Sequence, residues 1–445
     1  MIARTEGDTI CALASGAPPS AVSIVRVSGP AAGEWLHDRS GSKSIEPRHA
    51  MLVDLIDTAG DQIDTAIAIW MPAPKSYTGE DVLEIHLHGG AAVVEHALDD
   101  LVSFPGIRLA EPGEFTRRAF DAGKLDLTQA EAISDLIESE TRAQKDQALR
   151  QADGALSDLY DGWKNELQKC LGLLEASIDF PDESDAPETV TAPVLAKLED
   201  LQLRFASALK DGEIDQRIRD GFRVAILGEP NSGKSTLLNY FARRDAAIVT
   251  DIPGTTRDVV EVRCKLGGHI IWFQDTAGIR ETSDPIEQEG IRRSSRSADE
   301  ADLRLFLVPP ESDAPPLPHL FRSGDLKVHT KMDLAGNVSL TSDMPAISAK
   351  TGEGCSDLET EIARRINARI GTQTTPVLTR LRHRIAIEKA RENLEAAHDV
   401  LIHDAGAELA SENIRSAAMA LAGLLGTVDI EDVLGDVFST FCIGK

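Results

Sequence analysis

The sequence predicts a multidomain protein with α/β and all-α parts, and three observations carry this prediction. Residues 1–118 contain short β-rich runs and one short helical run, which indicates a mixed α+β domain. Residues 119–215 and 373–445 are amphipathic and helical, and residues 216–372 between them alternate strand-like and helix-like segments. Because neither helical stretch is expected to be stable alone, we expect one discontinuous helical domain with an α/β domain inserted into it.

Particular elements can be placed within these regions. The strand-like runs of the first region are residues 21–27, 65–70 and 82–87, and residues 91–101 read as a helix. In the first helical stretch, Thr128 and Glu131 predict a capping box. The apolar positions that we expect to face the helical core are Ala130, Ile133, Leu136 and Ile137 in the first stretch and Leu381, Ile385, Leu394 and Leu401 in the second.

Composition limits the classes of function. The 445 residues carry a net charge of −27, which disfavours broad electrostatic binding to nucleic acid, so any RNA contact must be local or shared with a partner. No apolar run approaches the length of a membrane span, and the first ten residues lack the apolar core of a signal peptide. The five cysteines are scattered, as is typical of a reducing cytoplasm.

The most informative motif is GEPNSGKST at residues 228–236, which follows an apolar run and opens into a helix-like segment. Strand, loop and helix in this order form the context of a phosphate-binding P-loop. Gly228 and Gly233 let the backbone turn tightly, Lys234 can reach the β and γ phosphates, and the Ser235 hydroxyl can hold magnesium. The alternative is a glycine-rich turn without a ligand, which the motifs that follow disfavour.

Four further motifs follow in order. DIPGTTRD at 251–258 offers Thr256 as a switch hydroxyl for magnesium and the γ-phosphate, and DTAG at 275–278 follows the strand-like residues 270–274. TKMD at 330–333, after the strand-like residues 326–329, places a carboxylate that can accept two hydrogen bonds from guanine. SAK at 348–350 is similar to loops that contact guanine O6.

This order of motifs resembles the Ras-like P-loop GTPase superfamily over residues 216–372. The predicted GTP-binding residues are Asn231, Ser232, Gly233, Lys234, Ser235, Thr236, Thr250, Asp251, Ile252, Pro253, Gly254, Thr255, Thr256, Asp275, Thr276, Ala277, Gly278, Lys331, Asp333, Ser348, Ala349 and Lys350. Two positions depart from the superfamily pattern. Thr330 replaces the usual Asn of the base-reading motif, so we expect guanine specificity with weaker nucleotide affinity. Ile279 replaces the water-orienting Gln of Ras-type GTPases. On spacing alone, Glu287 fits a solvated acidic loop better than a catalytic base.

Motifs outside this region identify the chain further. They are SYTGEDV at 76–82, GEFTRRAF at 113–120, GKLDLTQAEA at 123–132 and the terminal FCIGK at 441–445. With them, essentially the whole chain resembles the MnmE (TrmE) family of tRNA modification GTPases. The resemblance implies an N-terminal folate-binding and dimerisation domain, a discontinuous helical domain and an inserted GTPase domain. We therefore expect a homodimer.

The same resemblance implies a reaction and its partners. With an FAD-dependent partner, MnmG (GidA), the family forms a heterotetramer or larger complex. This complex adds an aminomethyl or carboxymethylaminomethyl group to C5 of the wobble uridine of certain tRNAs. The one-carbon unit comes from a tetrahydrofolate derivative, 5-formyl- or methylene-tetrahydrofolate. GTP hydrolysis requires Mg²⁺ and K⁺ and is coupled to dimerisation of the GTPase domains.

Residue roles also follow from the resemblance. Potassium ligands match Asn231, Thr250, Ile252 and Thr255, and magnesium ligands match Ser235 and Thr256. Folate-binding residues match Arg26, Glu84, Lys124 and Lys445, and catalytic residues match Glu287, Lys234 and Cys442. The match for Glu287 reverses its assignment to a solvated loop. Residues 15–23 (SGAPPSAVS) depart from the family's glycine-rich loop, which puts the shape of the folate pocket in question.

Simpler interpretations of these residues remain open. Arg26 can be an edge salt bridge, and Lys124 an ordinary solvated lysine. A metal site at Glu84, His86 and His88, which share one strand face, is a further alternative. For the tail, the alternatives are a frayed Lys445 and a Cys442 that is merely buried or prenylated.

Two other functions also stay open for the whole chain. One is a regulatory or ribosome-assembly GTPase without modification chemistry, which would not need the terminal CIGK motif. The other is a folate-dependent enzyme whose GTPase has decayed, which the intact P-loop argues against.

Overall fold

The computed structural model describes residues 7–41, 45–179, 190–229, 231–243, 248–249, 261–275, 298–310, 321–335, 344–370, 378–403, 405–427 and 431–444. The chain divides into two compact units. The first contains Met1–Ser134, Tyr160–Lys164 and Ala418–Lys445, and the second contains Asp135–Leu159 and Asn165–Ala417. No helix within the described ranges is long and apolar enough to cross a membrane.

Helices and strands make up most of the described ranges. The helices are α1 (Ala31–Arg39), α2 (Ala91–Ser103), α3 (Glu114–Asp121), α4 (Leu127–Glu138), α5 (Arg142–Ala152), α6 (Ala155–Asp179), α7 (Thr191–Asp220), α8 (Lys234–Ala242), α9 (Cys355–Ile370), α10 (Leu381–Ile402), α11 (Ala407–Leu425) and α12 (Glu431–Ser439). The strands are β1 (Thr9–Leu13), β2 (Val22–Ser28), β3 (Ala50–Ile56), β4 (Gln62–Met71), β5 (Val82–His88), β6 (Ile107–Leu109), β7 (Phe222–Gly228), β8 (Ile248–Val249), β9 (Glu261–Leu266), β10 (His269–Asp275), β11 (Leu303–Val308) and β12 (Leu326–His329).

The first unit is built on a mixed sheet of order β3-β4-β5-β2-β1-β6, in which β1 and β6 are parallel. Helices α1 and α2 pack on one face, where Trp35 and Leu101 join Val25 and Ile85 in the core. The alternate residues of β2 and β5 lie on the other face, where Ile24, Arg26, Glu84 and His86 are half-buried. The predicted strands at 21–27, 65–70 and 82–87 are confirmed as β2, β4 and β5, and the predicted helix at 91–101 as α2.

The start of α4 corrects the predicted capping box. Asp126 Oδ1 accepts the backbone N–H of Gln129 at 2.9 Å, and Gln129 Oε1 accepts the N–H of Asp126 at 3.0 Å. The reciprocal cap therefore lies two residues earlier than Thr128 and Glu131, because an Asp satisfies the free N–H groups as well as a Thr does. This shift makes Leu127 the first helical residue, where it is fully buried against Phe438 and Phe441.

The predicted apolar face of the second helical stretch is also partly wrong. In α10, Leu381 and Ile385 are 62% and 55% exposed, whereas Leu394 is buried. The buried positions of α10 are His383, Ile387, Ala390, Leu394 and Ala397. These positions follow the i, i+4, i+7 spacing of one helix face, and α10 packs against the long helix α7. In α4, the predicted face is buried at Ala130 but Ile137 is 45% exposed.

The second unit contains a further sheet of order β12-β11-β7-β10-β9-β8 in the part of the chain that is described. Strands β12, β11, β7 and β10 are parallel, and β9 pairs antiparallel with β10. The strands predicted at 270–274 and 326–329 are confirmed as β10 and β12. Because parallel strands end at one edge, the loops after β7, β10 and β12 are brought to the same edge of the sheet.

Candidate functional site

The loop between β7 and α8 has the backbone of a phosphate-binding loop. Asn231 and Gly233 adopt left-handed angles, with φ of 65° and 103°. Gly228 has no room for a side chain, because a Cβ atom there would lie 2.4 Å from Ser232 Oγ. These conformations turn the chain directly into α8, whose first backbone N–H groups can bind an anion.

Lys234 is the first residue of α8 and is only 7% exposed. Its Nζ donates hydrogen bonds to the carbonyl oxygens of Gly228 and Glu229, at 2.9 and 3.0 Å. The ammonium therefore lies within the loop, beside the positive end of the helix dipole, where both attract a phosphate group. The exposed Ser235 and Thr236 follow in the first turn, so the Ser235 hydroxyl lies at the same helix end.

The base-reading segment lies against this loop. Thr330 is 3% exposed and follows β12, and its Oγ1 donates a 2.7 Å hydrogen bond to the carbonyl oxygen of Ser232. Its own N–H donates to the carbonyl of Val308 at the end of β11. Lys331 then adopts a left-handed φ of 58°, which turns the chain into the short 3₁₀ helix that contains Asp333.

The SAK segment positions the carboxylate of Asp333. Ser348 is fully buried, and its Oγ donates a 2.8 Å hydrogen bond to Asp333 Oδ1. The N–H of Met332 also donates to the carbonyl of Ile347, so the two loops are joined by backbone as well. Asp333 is exposed and its Oδ2 side can face a ligand. The half-buried Ala349 and the exposed Lys350 follow in the same turn.

The described part of the site therefore brings together Ser232, Lys234, Thr330, Asp333 and Ser348, which come from three distant segments. Asp275 is the last residue of β10, opposite Ile226 of β7, and only its backbone is described. The other predicted residues lie outside the described ranges: Thr250, Asp251, Ile252, Pro253, Gly254, Thr255, Thr256, Thr276, Ala277, Gly278 and Glu287, with Lys445 of the folate set.

A second polar site lies on the half-buried sheet face of the first unit. Arg26 of β2 and Glu84 of β5 are cross-strand partners, and Arg26 donates to Glu84 Oε1 from Nε at 3.0 Å and from Nη2 at 2.8 Å. The guanidinium also lies over the rings of Tyr77 and Phe115, at 5.4 and 5.8 Å from the centroids. The salt bridge that one interpretation of Arg26 expected is therefore present, but its position at a sheet edge is wrong, since β2 lies between β5 and β1.

One buried polar atom beside this pair has no hydrogen-bond partner among the residues that the structure describes. It is Nε2 of His86, which lies 3.9 Å from Glu84 Oε2. Burial also raises the pKa of Tyr77, against the hydrogen bond with Thr116 and the charge of Arg26. No group of His, Cys, Asp and Glu side chains in the described ranges is arranged to hold a metal ion, which leaves the metal alternative for Glu84, His86 and His88 without support.

Lys124 lies beside the loop that precedes β5, and the C-terminal segment lies beside the end of β1. Lys124 is exposed, and its Nζ donates to the carbonyl oxygens of Pro74, at 2.9 Å, and Ser76. Gly444 is buried against the end of β1, where a Cβ atom would lie 2.2 Å from the carbonyl oxygen of Leu13. Cys442 is exposed, so the interpretation that it is merely buried is wrong.

The GEFTRRAF motif forms a charged network that the sequence alone did not reveal. Arg118 donates to Asp8 at 2.6 Å and to Glu114 at 3.2 Å, and Arg108 donates to Glu114 Oε2 at 2.8 Å. Glu114 is only 3% exposed. Burial raises the pKa of Glu114, but the hydrogen bonds from Arg108 and from the Glu111 N–H, with the two arginine charges, lower it to about 2. The network holds α3 against the start of β1.

The chain is similar to one protein family over nearly its whole length. The family model for the MnmE helical domain matches residues 127–442, and the model for the N-terminus of the GTP-binding protein TrmE matches residues 9–124. The tRNA modification GTPase MnmE of Hyphomonas neptunium is 53% identical over 438 residues, which cover 98% of this chain and 99% of that protein. The protein of the same name from Maricaulis maris is 46% identical over 439 residues, with the same coverage.

Among solved structures, a variant of Aquifex aeolicus Era bound to GDP·AlF4⁻ is 27% identical. The match covers 38% of this chain and 67% of that chain, with a TM-score of 0.28. At this score the likeness adds nothing to the comparison of sequences.

Proposed function

The chain belongs to the MnmE (TrmE) family of tRNA modification GTPases, and from this premise we propose the reaction that its GTPase serves. With an FAD-dependent partner of the MnmG (GidA) type, it adds an aminomethyl or carboxymethylaminomethyl group to C5 of the wobble uridine of certain tRNAs. A tetrahydrofolate derivative supplies the one-carbon unit. The chain acts as a cytoplasmic homodimer, with domains at 1–118, 119–215 with 373–445, and 216–372.

One observation carries the proposal: the P-loop, the base-reading loop and the SAK loop converge through Thr330–Ser232 and Ser348–Asp333. A carboxylate held in this way accepts the N1–H and exocyclic N–H of guanine, a donor pair that adenine does not present. Lys234 contacts the phosphates, and the hydroxyls of Ser235 and Thr256 hold the Mg²⁺ that accompanies GTP. When bound, Mg²⁺ neutralises charge that develops on the phosphates.

Potassium completes the catalytic machinery in this proposal. Its ligands are Asn231, Thr250, Ile252 and Thr255, whose oxygen atoms suit a hard cation. The observation that supports this set is that Asn231 is exposed in the loop between β7 and α8, with a left-handed backbone. The carboxylate of Glu287 orients the attacking water, a role that Ile279 cannot fill.

The folate derivative binds in the first unit, at the face that carries Arg26 and Glu84. The fit is supported by the buried His86 Nε2, which has no hydrogen-bond partner among the described residues, since a pterin ring offers both donors and acceptors. Lys124 and Lys445 meet the carboxylates of the glutamate tail. Cys442 takes part in the modification reaction, and its exposed position suits contact with a bound ligand.

The proposal is tested by GTP turnover in KCl and NaCl at equal ionic strength. We expect strong stimulation by potassium, which N231A abolishes while GTP binding persists. N239A is the matched control, because Asn239 is exposed on α8 outside the loop. Equal rates in the two salts would mean that Asn231 does not build a potassium site, and would favour the regulatory GTPase without modification chemistry.

A further inference from the structure

A cavity of about 450 Å³ lies in the second unit at the amino ends of β11 and β12. Five of the residues that line it are arginines: Arg304, Arg322, Arg364, Arg365 and Arg369. Two aspartates, Asp302 and Asp325, are the acidic residues among the described lining. In a chain of net charge −27, this local excess of positive charge is unusual.

The cavity is separate from the nucleotide site. Asp325 immediately precedes β12 and lines the cavity, whereas Thr330 follows the other end of the same strand. Arg304 likewise lies near the start of β11, whose far end is joined to Thr330. The two sites therefore lie at opposite ends of the same parallel strands, and the arginines of the cavity have no part in binding GTP.

The arginine on β11 is buried without full hydrogen bonding. Arg304 is 4% exposed, and its Nε donates to Asp325 Oδ1 at 3.1 Å. Its Nη1 is buried and has no acceptor within the described part of the chain. Because a buried donor without an acceptor is unfavourable, Arg304 Nη1 is a donor that the described residues leave open to an acceptor from a ligand.

The arginines on α9 differ in how they are held. Arg365 donates to Glu361 at 2.7 Å and to the carbonyl of Gly324 at 2.6 Å, which fixes it against the cavity wall. Arg364 forms two hydrogen bonds with the same Glu361. Arg369 is exposed, and the structure gives it no ion pair or hydrogen bond with any described residue. It therefore has its full set of donors available at the mouth of the cavity.

A plainer explanation covers part of this arrangement. An arginine in the last turn of a helix interacts favourably with the helix dipole, which accounts for Arg369 on α9, and Arg364 and Arg365 are paired with Glu361. Two others have carboxylate partners: Arg304 on β11 is paired with Asp325, and Arg322, which lies before β12, donates to Asp299 at 2.6 Å. The donors that these pairs leave over in the described part of the cavity, Arg304 Nη1 and the guanidinium of Arg369, point to an anionic ligand.

We propose that this arginine cavity binds phosphate groups of an RNA backbone. The planar guanidinium matches a phosphate with two parallel hydrogen bonds, and arginine is the usual residue for this contact. A small basic cavity on a strongly acidic protein can contact one or two phosphates without attracting nucleic acid broadly. The choice of RNA rests on the proposed function, in which tRNA is the substrate.

The test compares two charge reversals in the full-length chain. R369E removes an unpaired cavity arginine, whereas R142E makes the same change in charge at Arg142, which is on α5, outside the cavity and 89% exposed. Binding of a fluorescein-labelled, unmodified tRNA transcript is followed by anisotropy from about 50 to 200 mM KCl. We expect R369E to weaken binding about tenfold and to reduce the salt dependence by about one phosphate contact, and R142E to do neither.

Three outcomes would overturn the proposal. They are an equal loss of tRNA affinity in both variants, no loss of tRNA affinity in R369E, and no measurable binding of the transcript by the wild-type protein. In a separate arm, inorganic phosphate is titrated while thermal unfolding is followed. If phosphate stabilises the wild type but not R369E while RNA affinity is equal, the cavity takes free phosphate and not RNA. Potassium-stimulated GTP turnover is measured in the same variants, so that failure here is distinguished from failure of the proposed function.

Discussion

The hydroxyl of Thr330 donates a 2.7 Å hydrogen bond to the carbonyl oxygen of Ser232, across 98 positions of sequence. This bond joins the base-reading loop to the P-loop, and both residues are buried. Because the bond lies away from solvent, it is worth about 1 kcal/mol and holds two ligand-binding loops in one arrangement. Thr330 therefore retains a structural link at the position where the resemblance predicts an Asn.

The first prediction concerns this bond. T330V keeps the shape of the side chain but leaves the Ser232 carbonyl without its donor. We expect the affinity for GDP to fall roughly fivefold, which corresponds to the loss of about 1 kcal/mol. T330S keeps the hydroxyl and serves as the control. Titration of a fluorescent GDP analogue measures both, and equal affinity of T330V and wild type would show that the bond does not organise the site.

Base specificity is predicted to depend on Asp333, whose Oδ1 accepts a 2.8 Å hydrogen bond from Ser348 Oγ. In D333N, one carboxylate oxygen becomes an amide N–H, which repels the guanine donors and can donate to the 2-oxo group of xanthine. We expect GTP affinity to fall by at least 100-fold and XTP affinity to rise. The measurement is competition of each nucleotide for a fluorescent analogue. S348A, which only loosens Asp333, should weaken GTP binding a few-fold without admitting XTP, and admission of XTP by S348A would contradict this division of roles.

Hydrolysis is predicted to depend on Glu287. In E287A, GTP binding should persist while turnover falls by two or more orders of magnitude, because the attacking water loses its orienting carboxylate. Single-turnover hydrolysis measured beside nucleotide affinity separates the two effects. E289A is a control in the same acidic segment. Unchanged turnover in E287A would remove Glu287 from the mechanism.

The sequence was sufficient for features whose chemistry is local. The P-loop, β10 and β12 could be predicted because apolar runs and glycines within a few residues define them. The link from Thr330 to Ser232 could not, since nothing in either segment refers to the other.

Side-chain burial was harder to predict than element type. Leu381 and Ile385 are exposed although they fit an apolar stripe, because α10 presents the neighbouring face to α7. The burial of Glu114 was not predicted for the opposite reason, because a charged residue in a charged motif is usually exposed to solvent. Only the packing of α3 shows that Arg108 and Arg118 bind its carboxylate. Interactions of this kind depend on tertiary packing that periodicity does not encode.

The pH dependence of stability tests the Glu114 network. The pKa of Glu114 is about 2 in the folded chain against a usual value of 4.5, so the folded state favours the ionised form. The stabilisation is fully present above about pH 4.5 and is lost as pH falls toward 2. We expect E114Q to reduce the unfolding free energy by about 3 kcal/mol at pH 7, and by less than half of that near pH 3.

Urea unfolding followed by tryptophan fluorescence measures this difference, because Trp35, Trp70 and Trp163 lie in the first unit. D38N is the matched control, since Asp38 is exposed on α1. A loss in E114Q that is equal at pH 7 and pH 3 would mean that Glu114 acts through packing and not through its charge.

The last prediction concerns the C-terminal segment. Gly444 has a φ of 92°, and a Cβ atom would lie 2.2 Å from the Leu13 carbonyl oxygen. G444A therefore combines backbone strain with a clash against the backbone at the end of β1, and the segment should leave its place beside that strand. Leu13 pairs with Val25, the neighbour of Arg26, so this displacement opens the proposed folate site. We expect affinity for 5-formyl-tetrahydrofolate, measured by calorimetry, to fall at least tenfold while basal GTP turnover stays constant. I443A is the control, because Ile443 is 59% exposed, and it should leave both the folate affinity and the GTP turnover unchanged. Retained folate affinity in G444A would show that the packed C-terminal segment is not needed to form that site.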